Sequence, residues 1–201
     1  HLTLYRNQQA VISDLTFAIT DQQKFVLQGE IGTGKSTLLL ALLGFVPLHS
    51  GEINWFGKSC RQEADFMPLR GNTVGICFQQ ADDQLFGPTV LDDVAFGCLN
   101  QGKSKAESYQ IALEQLEKLG ITHLKDRSVN LLSGGEKNFT ALAGVLAMQP
   151  KMLLLDEPTN GLDAKNKAKL TALLQALELP MLIASHDLAF SEALADEVIC
   201  L

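Results

Sequence analysis

The chain has few cysteines, no surplus of positive charge and no long apolar run, and each shortage removes a class of protein. Four cysteines stand among 201 residues, Cys60, Cys77, Cys98 and Cys200. They form no C-x-x-C pair and have no histidine at metal-ligand spacing. Buried reduced thiols are expected rather than a disulfide scaffold or a metal site. Acidic residues outnumber basic ones 23 to 16, for a formal net charge of −7. That balance argues against a nucleic-acid surface, because nucleic-acid phosphates are held by Lys and Arg. The longest apolar run, "LLLALLGFV" at 38–46, is about half of the ~20 residues that a membrane span requires. No charged segment leading into an apolar core opens the chain, so no signal peptide is expected. Internal repeats and low-complexity tracts are also missing. What remains, 46% hydrophobic and 19% charged residues, suits one large domain, or a core with an inserted subdomain.

The order of elements narrows this further. Strands are predicted at "LTLY", "VISDLTFAI", "KFVLQG" (24–29), "EINWFG" and "TVGICFQ" (73–79), with a helix from about Lys35 to Phe45. The stretch from Thr89 to Gly120 reads as helical, with Ser104 as a cap and Glu107 three residues on. Another helix is predicted from Gly134 to Met148, ended by Pro150. "KMLLLDE" (151–157) is an uninterrupted apolar strand ending in two carboxylates, the pattern of a central parallel strand covered on both faces. A helix from Asp163 to Leu177, strand "MLIASH", a short helix from Asp187 and strand "EVICL" close the chain. Alternation of strand and helix implies a doubly wound α/β fold. The expected division is a core of 1–80 and 149–201 around a helical subdomain of about 81–148.

Two motifs carry phosphate chemistry. "GEIGTGKST" (29–37) fits G-x-x-x-x-G-K-[ST] between a strand and a helix. Gly29, Gly32 and Gly34 let the backbone curl with its N–H groups inward, a nest for anionic oxygens that extends through Glu30, Ile31, Thr33 and Thr37. The dipole of the following helix favours the same anion. Lys35 supplies a point charge for the β- and γ-phosphates and Ser36 a hydroxyl for Mg²⁺. At the end of the second motif, Asp156 offers the magnesium an oxygen ligand, and Glu157 stands where a general base would face an attacking water.

"LLSGGEKNF" (131–139) raises a different question. Two glycines open a helix, and each costs about 1 kcal/mol against alanine inside one. In order along the chain, the phosphate loop, Gln79, "LSGGE" (132–136), "MLLLDEP" (152–158), "NGLD" (160–163) and His186 resemble the nucleotide-binding domain of ABC ATPases. The resemblance covers nearly the whole chain. It implies a P-loop NTPase fold of ABC type that binds ATP and Mg²⁺. It implies catalytic roles for Glu157, His186 and Gln79, with Gln79 also near the metal beside Ser36 and Asp156. Tyr5 would stack on adenine. Ser133, Gly134, Gly135 and Glu136 would meet the γ-phosphate of a second subunit, with Asp163 in a loop crossing the interface. A homodimer or heterodimer of ATPase subunits is therefore expected, with integral membrane partners and no nucleic acid. The place would be the cytoplasmic face of a bacterial cell membrane.

"GICFQQADDQLFGPTVLDDVAFG" (75–97) is similar to energy-coupling-factor (ECF) transporter ATPases of the cobalt/nickel type. Its mixture of acidic and apolar residues suits a docking helix from a membrane subunit. A vitamin is the alternative cargo, and a soluble ABC ATPase acting on nucleic acid the more distant one. Glu136 replaces the family's usual glutamine, and Asn138 and Phe139 stand where basic residues often follow. The extra charge of Glu136 is expected to oppose the incoming phosphate, so its neutralisation should raise turnover. Leu201 falls where such ATPases usually continue, which leaves a short form and a truncated chain both open.

Overall fold

The computed structural model describes residues 1–6, 9–30 and 32–201. In chain order the elements are β1 (Leu2–Arg6), β2 (Gln9–Leu15), β3 (Lys24–Gln28), α1 (Lys35–Leu42), β4 (Ile53–Trp55), β5 (Lys58–Cys60), α2 (Glu63–Phe66) and β6 (Val74–Cys77). They continue with α3 (Val90–Asn100), α4 (Lys105–Lys118), α5 (Gly134–Ala147), β7 (Met152–Asp156), α6 (Ala164–Ala176), β8 (Met181–Ser185), α7 (Leu188–Leu194) and β9 (Glu197–Cys200). A five-stranded parallel sheet runs in the order β6-β7-β8-β3-β9. The hairpins β1-β2 and β4-β5 are separate antiparallel pairs. The fold is thus α/β around a parallel sheet, as the alternation of strand and helix predicts.

Strand residues point alternately to the two sheet faces, and two cores result. Val26, Leu153, Leu155 and Ile183 join the buried residues of α3, α4, α5 and α6. Phe25, Leu27, Leu154 and Leu182 join those of α1 and the two hairpins. The central strands β7 and β8 carry no polar side because neither face meets water. All five strands are parallel, so their carboxyl ends lie along one edge. Register aligns those ends: Gln28 pairs with Ser185, Asp156 with Ala184, and Cys77 with Leu155. Residues next after these strands are therefore brought to one place from four distant points in the sequence.

Boundaries differ from expectation where local backbone intervenes. The strand expected over "VISDLTFAI" stops at Leu15, after Asp14 adopts φ 54°, a left-handed conformation that aspartate tolerates better than most residues. The helix expected to reach Phe45 ends at Leu42. Gly44 (φ 72°) turns the chain there, with Gly44 N–H donating to Ala41 O and Phe45 N–H to Leu40 O, a Schellman closure. A side chain on Gly44 would also strike Phe66 at 2.4 Å. The stretch 89–120 is two helices, α3 and α4, joined through Gly102 at φ 84°. β5 and α2 have no counterpart among the expected elements.

Candidate active site

The phosphate loop leaves β3 and enters α1. Gly32 and Gly34 hold φ 94° and 97°, which L side chains rarely adopt. A Cβ on Gly34 would lie 3.2 Å from Val11 O, whereas one on Gly32 would meet nothing. Gly34 therefore lets β2 approach the loop, while Gly32 is required by its positive φ alone. Lys35 is the first residue of α1 and is 6% exposed. Its Nζ donates to Gly29 O at 2.7 Å and Glu30 O at 3.0 Å, and lies 3.6 Å from Glu157 Oε1. Ile31, expected in this nest, lies outside the described residues.

β7 delivers the two carboxylates. Asp156, 8% exposed, accepts a 3.0 Å hydrogen bond from Ser36 Oγ. Burial pushes the Asp156 carboxyl above its usual range, opposed by the Ser36 hydroxyl. Two oxygen donors side by side next to a phosphate nest fit Mg²⁺, which takes one or two protein oxygens and otherwise keeps waters or phosphate oxygens. Among the described residues no cluster of three or more His, Cys, Asp or Glu could hold a metal alone. Ser36 and Asp156 thus supply only part of such a metal's ligand shell.

Glu157 is 6% exposed and holds φ 47°, an unusual conformation for glutamate that costs on the order of 1–3 kcal/mol. Its N–H donates to Ala184 O at 2.9 Å, which fixes the turn. Its Oε2 lies 2.7 Å from His186 Nδ1 and accepts the His186 backbone N–H at 3.3 Å. Gln79 follows β6, and with Asn138 and Glu157 it lines a cavity of about 30 Å³, room for a water molecule. The structure thus brings together Lys35, Ser36, Gln79, Asp156, Glu157 and His186, as expected from their motifs.

Tyr5 sits in β1 opposite Ala10, beside Val11, which abuts the phosphate loop. Its ring is 42% exposed and tilts against His49 at 4.3 Å between centroids. Asp163 caps α6, accepting from Asn166 N–H at 2.8 Å, with its side chain exposed.

The glycine turn stands apart. Ser133 is the cap of α5, and both it and Gly134 are exposed. Added side-chain carbon at Gly134 would meet nothing within 4 Å. Among the described residues, the hydrogen bonds of Ser133 and Glu136 stay within 127–140 and do not reach Lys35 or Glu157.

Glu136 has partners within its own chain. Its carboxylate does not project as a free charge from the turn. Oε2 accepts Ser133 N–H at 2.7 Å and Ser133 Oγ–H at 2.8 Å, while Oε1 lies 3.1 Å from Arg127 Nη1. The Ser133 donors, backbone first, hold this carboxyl below its usual range, with Arg127 adding to the effect. Sequence reasoning missed Arg127, and it also missed Gln84. Gln84 Oε1 accepts Phe78 N–H and its Nε2 donates to Ala141 O, both at 3.3 Å, tying the segment before Gln79 to α5. Neither residue belongs to a motif read from the sequence as catalytic.

A family model described as "ABC transporter" matches residues 12–160. The chain is 66% identical over 201 residues to an uncharacterized ABC transporter ATP-binding protein of Haemophilus influenzae, covering all of this chain and 92% of that one. It is 40% identical over 190 residues to the cobalt import ATP-binding protein CbiO of Rhodobacter capsulatus, covering 93% and 68% of the two chains. Among solved structures it resembles cbiO1 of Clostridium perfringens, described as part of the ABC transporter complex cbiONQ. That match has a TM-score of 0.88 at 34% identity and covers 99% of this chain and 81% of that one.

Proposed function

The chain belongs to the ABC transporter family of ATP-binding ATPase subunits, and from that premise we propose that it hydrolyses ATP as a head-to-tail dimer whose subunits share each active site. One observation carries this reading. The turn at 133–135 presents a helix N-terminus and an open Gly134 to solvent, and Ser133 makes no hydrogen bond to the charged cluster of its own chain. Helix N-termini with close backbone access hold anions, and a second subunit's γ-phosphate is the anion available. Tyr5 carries the adenine and Asp163 borders the shared interface. The helices from 81 to 148 form the subdomain that brings the turn to the other subunit.

At each site Glu157 takes a proton from the water that attacks the γ-phosphorus, and the bond from that phosphorus to the bridging oxygen of ADP breaks. Lys35 and the loop amides hold the phosphate oxygens while charge spreads over them. His186 fixes the Glu157 carboxylate, and Gln79 orients the water. Ser36 and Asp156 would hold Mg²⁺, which supplies charge neutralisation on the β- and γ-oxygens.

The work of hydrolysis goes to membrane partner subunits of ECF type that import cobalt or nickel ions, at the cytoplasmic face of the membrane. Similarity to CbiO and cbiO1 supports this assignment. A cleft of about 340 Å³ between α3 and α5 supports the docking. Its rim carries Phe86 and Phe96, in edge-on contact at 4.5 Å and 63% and 41% exposed. Asp93 holds the Phe86 loop by accepting N–H bonds from Phe86 and Gly87 at 2.8 and 2.6 Å. A cleft lined by apolar side chains together with Asp93, Asn100 and Gln101 suits an amphipathic helix.

The test is metal uptake by cells carrying the chain with its membrane partners. Phe86→Ala with Phe96→Ala is expected to lower uptake and partner-stimulated ATPase at least about tenfold, as aromatic anchors do when truncated. Basal ATPase of the isolated chain should stay within about twofold. Uptake that is indifferent to cobalt and nickel but responds to a vitamin would replace the cargo. ATPase that membrane partners never stimulate would overturn the transport reading.

A further inference from the structure

We propose that Arg127 is a positioning residue for the glycine turn: by holding the Glu136 carboxylate, it keeps that charge from opposing the phosphate the turn receives from the other subunit. This rests on the shared-site reading above.

Glu136 stands three residues from the cap of α5, and its carboxylate closes on the Ser133 N–H and hydroxyl. An acidic group in this place stabilises a helix start. It also occupies two Ser133 donors and puts one negative charge beside a site meant for another anion. Arg127 offsets both effects. Its guanidinium is half-exposed and lies 3.1 Å from the Glu136 oxygen that does not bind Ser133. The pair is neutral in sum, so an approaching phosphate meets backbone and hydroxyl donors rather than a net anion. When the phosphate claims the Ser133 hydroxyl, the carboxylate keeps a cation to rest on.

The backbone around Arg127 is not a loose loop. Arg127 O accepts Val90 N–H and Lys125 O accepts Leu91 N–H, both at 2.9 Å. These are the first two residues of α3, the helix that supplies Asp93 and Phe96 to the cleft. Arg127 is therefore mounted on the element offered to the membrane partner, with its side chain on the turn offered to ATP.

The experiment measures the MgATP concentration giving half-maximal dimer in a Glu157→Gln background, by light scattering at low ionic strength. R127A is expected to raise that midpoint about fivefold, the scale of one partly exposed ion pair. E136Q alone should move it less than about twofold, and the R127A/E136Q combination should return it to about the parental value. R127K should retain most of the parental behaviour. In 1 M salt, with a Debye length of about 3 Å, the R127A effect should shrink. MgATP binding to the monomer should not change. A midpoint shift from R127A that is the same with and without E136Q would make Arg127 a structural residue only and overturn the proposal. A parental Glu157→Gln protein that stays monomeric in saturating MgATP would overturn the shared-site reading and this assignment with it.

Discussion

Glu157→Gln is expected to lower ATP hydrolysis by about 10²–10⁴-fold, the usual contribution of a positioned base, while MgATP still binds. The substitution keeps shape and removes charge. Glu157 is buried, its backbone is pinned by Ala184, and one carboxylate oxygen meets His186 at 2.7 Å. An amide in this place still bonds to the imidazole but accepts no proton from water. It also removes one negative charge from the neighbourhood of the γ-phosphate, so the ATP-bound state should persist as a dimer. Phosphate release and light scattering on one preparation check both halves. Hydrolysis within tenfold of the parent would assign the base to another residue.

Lys35→Ala is expected to weaken MgATP binding by about 100-fold or more. Two hydrogen bonds to phosphate charge, at ~1.5 kcal/mol each, give about 3 kcal/mol, and 1.4 kcal/mol is tenfold. The same change should lower stability without ligand. Lys35 Nζ lies 3.6 Å from Glu157 Oε1, and both side chains are buried. Removing one member of a buried pair leaves the other charge uncompensated, at a cost of up to about 3 kcal/mol. In a chain of this size that is several degrees of Tm. Adding Glu157→Gln to Lys35→Ala should recover part of the Tm and none of the binding. Calorimetric titration and thermal unfolding read the two effects separately. Unchanged affinity would contradict the assignment of Lys35 to the phosphates.

Lys35, Ser36, Asp156 and Glu157 were legible because each sits in a short segment whose physics is local, whereas Gln79 and His186 rested on the resemblance to ABC ATPases. "GEIGTGKST" needs positive φ at Gly32 and Gly34 and a helix at Lys35, and all three are present. "MLLL" is apolar throughout because β7 is buried along its whole length. What sequence could not supply is the order β6-β7-β8-β3-β9, since long-range pairing leaves no local mark. That order is the reason Gln79, Glu157, His186 and Lys35 meet. Glu136 shows the limit most clearly. Its chemistry suggests a charge thrust at the phosphate, yet a capping box and an arginine nine residues earlier turn the carboxylate back. Arg127 lies in an irregular segment with no periodicity to announce its direction. Asp14 and Gly44 likewise end elements by backbone conformation, which the hydrophobic pattern does not register.

The claim that one subunit's glycine turn completes the other's ATP site is tested most directly at Gly134. A Cβ there meets nothing within 4 Å beyond its neighbours along the helix, so a dimerisation defect that leaves stability and ATP binding unchanged comes from something that approaches from outside. Gly134→Val in a Glu157→Gln background should therefore keep the parental stability to within about 1 kcal/mol, and it should still bind one MgATP per monomer by equilibrium dialysis. The expected result is a protein that is loaded with ATP yet monomeric by light scattering, where the Gly134 parent is dimeric. A valine variant that dimerises at the same MgATP concentration as the parent would contradict the shared site.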